Sequence, residues 1–373
     1  MKKQSKSILF LPFLQIPSGH HQVANALIDG ILEIDPAIKC HKVDILSFSY
    51  GNMEKVISYI YLKWIHSFPN IYNAIYRMSV YKKIETNKRY RLYEILFISF
   101  MRKLLIEKRP DLIVCTHALP AYMMNFLKDK IEFHIPVINV YTDYFIHRFW
   151  GLDHIDFHFV PSNEVKTFLE KRGINKEKIF VTGIPIHNKI KKINQIPKYD
   201  KKSRSTVLIS GGNLGIGGLE HLLNMIEERK SREHIQFYVL CGKNKKLYEK
   251  LKCLNKNDII PFPYINCREK MNRLYDEIDA ILTKPGGVTI SESLFKRKPI
   301  LIYDALPGQE EINLKQLEEV GLVFHLKTEN MYEQILSILQ DENKLTEYQN
   351  QVDHFHSHIH KKDPAQIITE III

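Results

Sequence analysis

The sequence predicts an α/β protein built from two units, each with a parallel β-sheet, and three observations support this. Short apolar runs alternate with helix-like stretches along most of the chain, which is typical of a parallel sheet covered by helices on both faces. The chain has 373 residues, more than one ordinary domain core holds. The alternation also stops in a lysine-rich segment and then starts again.

The interruption places the domain boundaries. We expect an N-terminal domain over residues 1–186, a linker over 187–205 and a C-terminal domain over 206–345. The last segment, 346–373, is expected to be helical and able to return to the N-terminal domain.

Apolar runs predict the individual strands. They cover residues 7–13, 41–46, 111–116, 137–141, 157–161, 179–182, 206–210, 236–241, 280–283 and 299–303. Helices are predicted over 22–32, 219–228 and 288–295, with a turn over 18–21. Ligands of open parallel sheets bind at the carboxyl ends of strands, so we expect the binding and catalytic residues in the loops that follow these strands.

Composition limits the classes of function. A net charge of +11 favours an anionic partner, which could be nucleic acid, an anionic bilayer or a phosphorylated small molecule. The five cysteines are odd in number and have no CxxC spacing, which argues against a disulfide framework or a structural zinc site and favours a reducing compartment.

The N-terminus superficially resembles a signal peptide. Lysines precede the apolar run 8–11, but Pro12 and Gln15 interrupt it and no small-residue cleavage site follows. We interpret the run as a buried first strand. No run of 18 apolar residues is present, so membrane contact is expected to be interfacial.

The segment 283–292 carries the strongest chemical pattern. A strand ends at Thr283, Gly286 and Gly287 follow, and a helix starts. Glycines let a ligand approach the backbone, and the N–H groups at a helix start favour phosphate. Glu292 lies where a carboxylate could accept hydrogen bonds from ribose hydroxyls. An ordinary strand–turn–helix remains the alternative interpretation.

Two further loops follow predicted strands. The glycine-rich loop 211–218 lacks the GxGxxG register, and no GxxxxGK[ST] is present in the chain, so a dinucleotide site or a P-loop is poorly supported. It is either a phosphate-facing loop or a tight turn. In the loop 307–311, Gln309 and Glu310 offer hydrogen-bonding groups suited to sugar hydroxyls.

Histidine and carboxylate candidates for proton transfer lie in the N-terminal domain. His20 follows the first strand and could act as a general base or bind a phosphate, and Asp143 follows the fourth strand and could orient it. Taken alone, each is better explained as a polar loop residue whose hydrogen bonds are satisfied. His354, His356, His358 and His360 alternate near the C-terminus, where we expect a solvated helix rather than a metal site.

The region 54–109 mixes aromatic and basic residues. It includes Trp64, Lys82, Lys83, Lys88 and Arg89. Aromatic rings favour the bilayer interface and basic residues favour anionic head groups. Core helices with a solvated basic face explain the pattern equally well, and no RNA-binding signature accompanies it.

Taken together, the motifs resemble one family. They are residues 19–24, 141–143, 160–162, 181–185, 241–244, 283–292 and 307–310, in order over most of the chain. The chain resembles the diacylglycerol glycosyltransferases of glycosyltransferase family 28. This group contains the processive diacylglycerol β-glucosyltransferases and the monogalactosyldiacylglycerol synthases.

The resemblance implies a GT-B fold, with two Rossmann-like domains facing a central cleft. It implies that the N-terminal domain takes the acceptor, that the C-terminal domain takes a UDP-sugar, and that neither a metal nor a cofactor is required. It makes His20 the leading candidate base, with His21 as the alternative and Asp143 as a candidate partner. The implied donor contacts are Gly212, Asn213, Lys284, Gly286, Gly287, Val288 and Thr289 near the diphosphate, Glu292 at the ribose, Gln309 and Glu310 at the sugar, and Phe262, Tyr264 and Ile265 near the uracil.

The implied reaction is transfer of a hexose from a UDP-sugar to diacylglycerol or a glycolipid, and glucose is the favoured hexose. The anomeric carbon is inverted, and sugars can be added in succession. We expect a peripheral protein on the cytoplasmic face of an anionic membrane, without nucleic acid. The alternatives are transfer of N-acetylglucosamine to a polyprenyl-linked acceptor, a non-catalytic UDP-sugar sensor and a nucleic-acid-binding protein that uses the basic region.

Overall fold

A computed structural model describes residues 5–13, 19–50, 89–130, 132–147, 149–195, 204–211, 234–254 and 256–373 of the chain. Its contacts divide the chain into two compact units. The first comprises Met1–His187 with His358–Ile373, and the second comprises Asn188–Ser357. In the described ranges, no helix is both long enough and apolar enough to cross a membrane.

The first unit contains a parallel six-stranded sheet. Its strands are β1 (Ser7–Leu11), β2 (Lys39–Lys42), β3 (Leu112–Cys115), β4 (Val137–Val140), β5 (Phe157–Val160) and β6 (Ile179–Val181), in the order β2-β1-β3-β4-β5-β6. Every residue of β1 is buried, as expected for a central parallel strand covered on both faces. The strand order reverses between β1 and β3, which makes the carboxyl ends of these two strands the topological switch point of the unit.

Helices cover the first sheet. They are α1 (Gly19–Ile34), α2 (Ile45–Tyr50), α3 (Arg91–Lys108), α4 (Ala118–Asp129), α5 (Asn163–Lys171) and, from the end of the chain, α12 (Pro364–Ile372). The C-terminal helix α12 packs on α1 so closely that a Cβ atom at Gly30 would lie 2.9 Å from that of Ala365. The end of the chain therefore belongs to the same compact unit as its beginning.

The second unit contains another parallel six-stranded sheet. Its strands are β7 (Ser205–Ser210), β8 (Ile235–Leu240), β9 (Ile259–Phe262), β10 (Ala280–Thr283), β11 (Ile300–Ile302) and β12 (Phe324–His325), in the order β12-β11-β10-β7-β8-β9. Its described helices are α6 (Lys245–Leu254), α7 (Arg268–Glu277), α8 (Gly287–Phe295), α9 (Gln309–Glu319), α10 (Met331–Gln340) and α11 (Glu342–His358). The switch point of this sheet lies between β7 and β10.

The structure differs from the predicted elements at several places. Strands β9 and β12 are absent from the predicted set, and two predicted elements have wrong bounds. The predicted strand 41–46 is wrong in its second half, because the edge strand β2 ends at Lys42 and the buried residues Ile45 and Leu46 begin α2. The Asp44 carboxylate accepts a hydrogen bond from the Leu46 N–H group and so favours this helix start. The predicted turn 18–21 is also wrong, since α1 already begins at Gly19.

The loop after β4 is clamped to α4 at Gly151. A Cβ atom at this glycine would lie 2.2 Å from Cβ of Asn125 and 2.9 Å from the carbonyl oxygen of Ala121. The Gly151 carbonyl oxygen accepts a hydrogen bond from the side-chain amide of Asn139, at 2.8 Å. A side chain at this position would thus separate the loop from both α4 and β4.

We predict that Gly151→Ala lowers the free energy of unfolding by ~1–3 kcal/mol, because the added methyl group overpacks this contact. Thermal melting of the purified protein measures the effect. Gly286→Ala is the matched control, since a Cβ atom there meets no atom within 4 Å in the described part of the chain. Equal melting temperatures for the two variants would contradict the proposed clamp.

Candidate active site

His20 lies in the first turn of α1, at the switch point of the first sheet. Its Nδ1 atom is 2.9 Å from the Thr116 carbonyl oxygen and 2.8 Å from the Thr142 hydroxyl oxygen. Thr116 directly follows β3, and Thr142 lies just beyond the end of β4. One imidazole ring therefore bridges the carboxyl ends of neighbouring strands.

These contacts determine which ring nitrogen of His20 carries the proton. A carbonyl oxygen only accepts hydrogen bonds, so the short contact with Thr116 requires a proton on Nδ1. In the neutral ring, Nε2 then carries the lone pair and can accept a proton. Burial lowers the pKa of His20 to about 4, against the opposing effect of the Thr116 hydrogen bond, so the ring is neutral at neutral pH.

Two further histidines lie close to His20. The His117 ring stands edge-on at 4.7 Å between ring centroids, and its Nδ1 atom accepts a hydrogen bond from the Leu119 N–H group at the start of α4. His147 is buried, and its Nδ1 atom accepts a hydrogen bond from the Phe149 N–H group. Burial lowers the pKa of both rings, and the charge of His20 lowers them further. Sequence reasoning missed both histidines, although each follows a predicted strand.

The other two candidates for proton transfer lie beside this cluster in sequence. His21 and Asp143 are both half-buried. Asp143 directly follows Thr142, so the oxygen atom placed beside Nδ1 of His20 belongs to the residue before the predicted one. The roles of His21 and Asp143 stay predictions.

In the second unit, α8 begins directly after the cap residue Gly286. Gly286 is the N-cap residue and provides no side-chain capping bond. The N–H group of Ile290 bonds to the Gly286 carbonyl oxygen, so the N–H groups of Gly287, Val288 and Thr289 precede the first intrahelical hydrogen bond. A Cβ atom at Gly286 would meet no atom of the described residues within 4 Å. This arrangement suits an anion that approaches the helix end.

Lys284 lies in the turn between β10 and α8. Its Nζ atom is 2.6 Å from a carboxylate oxygen of Asp304, which follows β11. The lysine side chain is only 11% exposed, whereas that of Asp304 is 46% exposed. Lys284 is thus a nearly buried cation at the carboxyl edge of the sheet, with its charge balanced by a carboxylate that solvent reaches.

Glu292 is a buried carboxylate in α8, 6% exposed. One of its oxygens accepts a 2.9 Å hydrogen bond from the Tyr275 hydroxyl group, and the other lies 3.8 Å from the Arg268 guanidinium group. Burial raises the pKa of Glu292, while the charge of Arg268 and the hydrogen bond from Tyr275 oppose the increase. Sequence reasoning did not identify these two partners.

The segment after β11 places Gln309 and Glu310 at the start of α9. Gly308 precedes them with φ 99° and ψ −114°, a conformation that favours glycine. A carboxylate oxygen of Glu310 accepts a 2.7 Å hydrogen bond from the Leu306 N–H group and so closes this loop. Gln309 is half-buried as the first residue of the helix.

The residues predicted near the uracil lie at the end of β9. Phe262 ends that strand, and its ring centroid is 5.1 Å from that of Tyr238. Tyr264 is 43% exposed, and the Lys243 Nζ atom lies 5.8 Å from its ring centroid. Ile265 is half-buried. An exposed aromatic ring and a cation thus adjoin the end of the sheet.

Several predicted residues lie outside the described ranges. They are Gly212, Asn213, Trp64, Lys82, Lys83 and Lys88. Arg89 is described, and its guanidinium group donates a 2.6 Å hydrogen bond to the buried carboxylate of Glu94.

The sequence predicts that the histidines near the C-terminus are solvated, but the structure shows that one of them is buried. His356 is 9% exposed and packs against the Phe295 ring at 5.6 Å between centroids. His354 and His358 are exposed. The side of α11 that bears His356 faces the core of the unit.

Comparisons with known families match both units. The family model described as monogalactosyldiacylglycerol (MGDG) synthase matches residues 20–186. The model of the glycosyltransferase family 28 C-terminal domain matches residues 206–363.

Curated relatives match along the whole chain. A Bacillus subtilis (strain 168) protein named uncharacterized glycosyltransferase YkoN is 42% identical over 370 residues, which cover 98% of this chain and 97% of that protein. The processive diacylglycerol β-glucosyltransferase of Bacillus licheniformis is 27% identical over 387 residues, which cover 99% and 95%.

Solved structures confirm the α/β, GT-B fold class. MurG from Acinetobacter baumannii superimposes with a TM-score of 0.62 at 15% identity, over 98% of this chain and 99% of that one. The glycosyltransferase SnogD from Streptomyces nogalater superimposes with a TM-score of 0.58 at 12% identity, over 99% and 100%.

The matches to both domain families and the 42% identity over nearly the full chain agree with the motifs in the sequence. The chain belongs to glycosyltransferase family 28 and is related to the diacylglycerol glycosyltransferases of that family.

Proposed function

We propose that this glycosyltransferase transfers a hexose from a UDP-sugar to diacylglycerol and then to the glycolipid formed. Glucose is the hexose that we favour. The observation that carries the proposal is the order of side chains along the carboxyl edge of the second sheet. From β11 through β10, β7 and β8 to β9, the described part of that edge presents Gln309 and Glu310, then the α8 N-terminus, then Tyr264. A nucleotide sugar has its sugar, diphosphate and base in the same order.

The α8 N-terminus accounts for the departure of UDP. Negative charge builds on the diphosphate as its bond to the sugar breaks. The helix dipole, the N–H groups of residues 287–289 and the Lys284 ammonium group stabilise that charge. These groups supply positive charge from the protein itself.

The first unit supplies the base. The hydroxyl group of the lipid attacks C1 of the sugar, and its proton passes to Nε2 of His20, which is neutral and carries the lone pair. Direct displacement of this kind inverts the anomeric carbon. Asp143 remains the proposed partner of this histidine.

The acceptor assignment is supported by the relatives, several of which are named processive diacylglycerol β-glucosyltransferases. It is also supported by α3, where Leu92, Ile95 and Ile106 are 66%, 78% and 71% exposed. Exposed aliphatic side chains beside basic residues suit the interface of an anionic bilayer. We propose that the protein acts there, on the cytoplasmic face.

Incubation of the protein with diacylglycerol in mixed micelles and one donor at a time tests the proposal. The donors are UDP-glucose, UDP-galactose and UDP-N-acetylglucosamine, and mass spectrometry detects the product. We expect successive hexose increments with UDP-glucose and their loss in His20→Asn. A product formed only from UDP-N-acetylglucosamine and a polyprenyl-linked acceptor, or UDP binding without transfer to any acceptor, would contradict the proposal.

We predict that two substitutions separate donor binding from folding. Gly286→Val should abolish UDP binding, because its side chain would fill the space before α8, and Glu292→Gln should weaken UDP binding about tenfold or more by removing a charged acceptor. Calorimetric titration with UDP measures both. Glu249→Gln, on the exposed surface of α6, is the control. UDP affinities equal to that of the control would refute the donor assignment.

We predict that Leu92→Ser with Ile95→Ser reduces sedimentation with vesicles containing anionic lipid, and that replacing Lys82, Lys83 and Lys88 with glutamine does so more strongly at low salt. Arg89 is retained because it pairs with buried Glu94. Replacement of Lys245, Lys246 and Lys250 on α6 changes the net charge equally and is the control. If this control lost as much vesicle binding as the variant at Lys82, Lys83 and Lys88, overall charge rather than the predicted surface would explain the association.

A further inference from the structure

The Thr142 hydroxyl oxygen lies 2.8 Å from Nδ1 of His20, and this contact has a single consistent hydrogen-bond assignment. The Thr116 carbonyl oxygen, 2.9 Å from the same nitrogen, requires the proton on Nδ1. The Thr142 oxygen must then accept from the same N–H group, in a hydrogen bond shared between two acceptors.

We propose that Thr142 is a positioning residue, whose oxygen acts with the Thr116 carbonyl to hold the Nδ1–H group of His20 and so present Nε2 to the acceptor hydroxyl. The inference rests on the proposed function, because it assigns a role to the residue that orients the proposed base. It adds a neutral hydroxyl group to the candidate partners of this histidine, beside the predicted Asp143.

The surroundings hold Thr142 in place. Thr142 is 5% exposed, and the preceding residue, Tyr141, is fully buried. The Tyr141 N–H group bonds to the Phe159 carbonyl oxygen at 3.0 Å, and its hydroxyl oxygen lies 2.9 Å from Nδ1 of His158. The Trp150 ring covers Tyr141 at 4.6 Å between centroids. The branched Thr142 side chain, which has few rotamers, is therefore attached to a buried, hydrogen-bonded backbone segment.

The shared hydrogen bond strengthens as the reaction proceeds. When Nε2 takes the proton, the ring becomes a cation, and hydrogen bonds from a charged donor are about twice as strong as neutral ones. Two oxygen acceptors at Nδ1 therefore stabilise the transition state more than the ground state. Loss of one should lower kcat and leave the KM for the donor unchanged.

A neutral acceptor also keeps the base unprotonated. A carboxylate at this distance would raise the pKa of His20 strongly, whereas a hydroxyl group leaves burial as the dominant effect. Among the described residues, the other ionisable groups around the ring are His117 at the start of α4, His147 after β4, and His21 and Asp143 in sequence beside His20 and Thr142. Each neighbouring histidine disfavours protonation of His20 when it is itself charged.

The test compares Thr142→Val, which keeps the shape of the side chain and removes its oxygen, with Thr142→Ser, which keeps the oxygen. We expect Thr142→Val to lower kcat about tenfold with the donor KM unchanged, and Thr142→Ser to stay within about twofold of the wild-type kcat. In the wild type, kcat/KM should stay constant at neutral pH and fall only as pH approaches the His20 pKa of about 4. In Thr142→Val this decline should begin at a lower pH, because the protonated ring loses an acceptor.

Nitrogen-15 NMR of the histidine side chains gives a readout that needs no substrate. With His20→Asn used to assign the signal, the wild-type ring should carry its proton on Nδ1, and the Nδ1 resonance should move in Thr142→Val but not in Thr142→Ser. An unchanged Nδ1 resonance and an unchanged kcat in Thr142→Val would overturn the inference. So would an equal loss of kcat in both variants, which indicates a packing role. Full activity in His20→Asn would instead refute the proposed base, whatever the NMR result.

Discussion

The parallel pairing of strands in each sheet is the constraint on which the described side chains depend. Parallel strands end at one edge of a sheet, so residues far apart in sequence meet where the strand order reverses. His20 meets Thr116 and Thr142 only because β1, β3 and β4 are neighbours in the first sheet. In the second sheet, the adjacency of β10 and β11 likewise brings Lys284 to Asp304.

The two units contribute opposite electrostatic properties. The first contains a neutral histidine whose burial disfavours protonation, so its lone pair is available at neutral pH. The second has a helix N-terminus and a nearly buried lysine, which favour negative charge. A reaction that removes a proton from a hydroxyl group and releases an anion needs both properties. Glu292 is a buried acceptor, and Arg268 and Tyr275 limit the rise in its pKa.

Local patterns in the sequence predicted most of the described strands, because buried parallel strands are continuous apolar runs, but they missed β9 and the two-residue edge strand β12. They failed at 41–46, where apolar residues begin a helix after an edge strand, and at Gly19, where the helix starts earlier than its periodicity indicated. They also could not identify Thr142 as the neighbour of His20, since that contact spans 122 positions and depends on strand order. The partners of Glu292 and Lys284 were missed for the same reason.

The configuration of the glycosidic bond tests the central claim most directly. UDP-glucose carries an α-linked sugar, and attack by a hydroxyl group activated by His20 must invert that centre. The proton NMR coupling of the anomeric hydrogen in the purified glycolipid distinguishes the two configurations. The account predicts a β-glucoside, formed by the wild type and lost in His20→Asn. An α-glucoside, or a β-glucoside formed at the wild-type rate without His20, would contradict direct displacement assisted by this base.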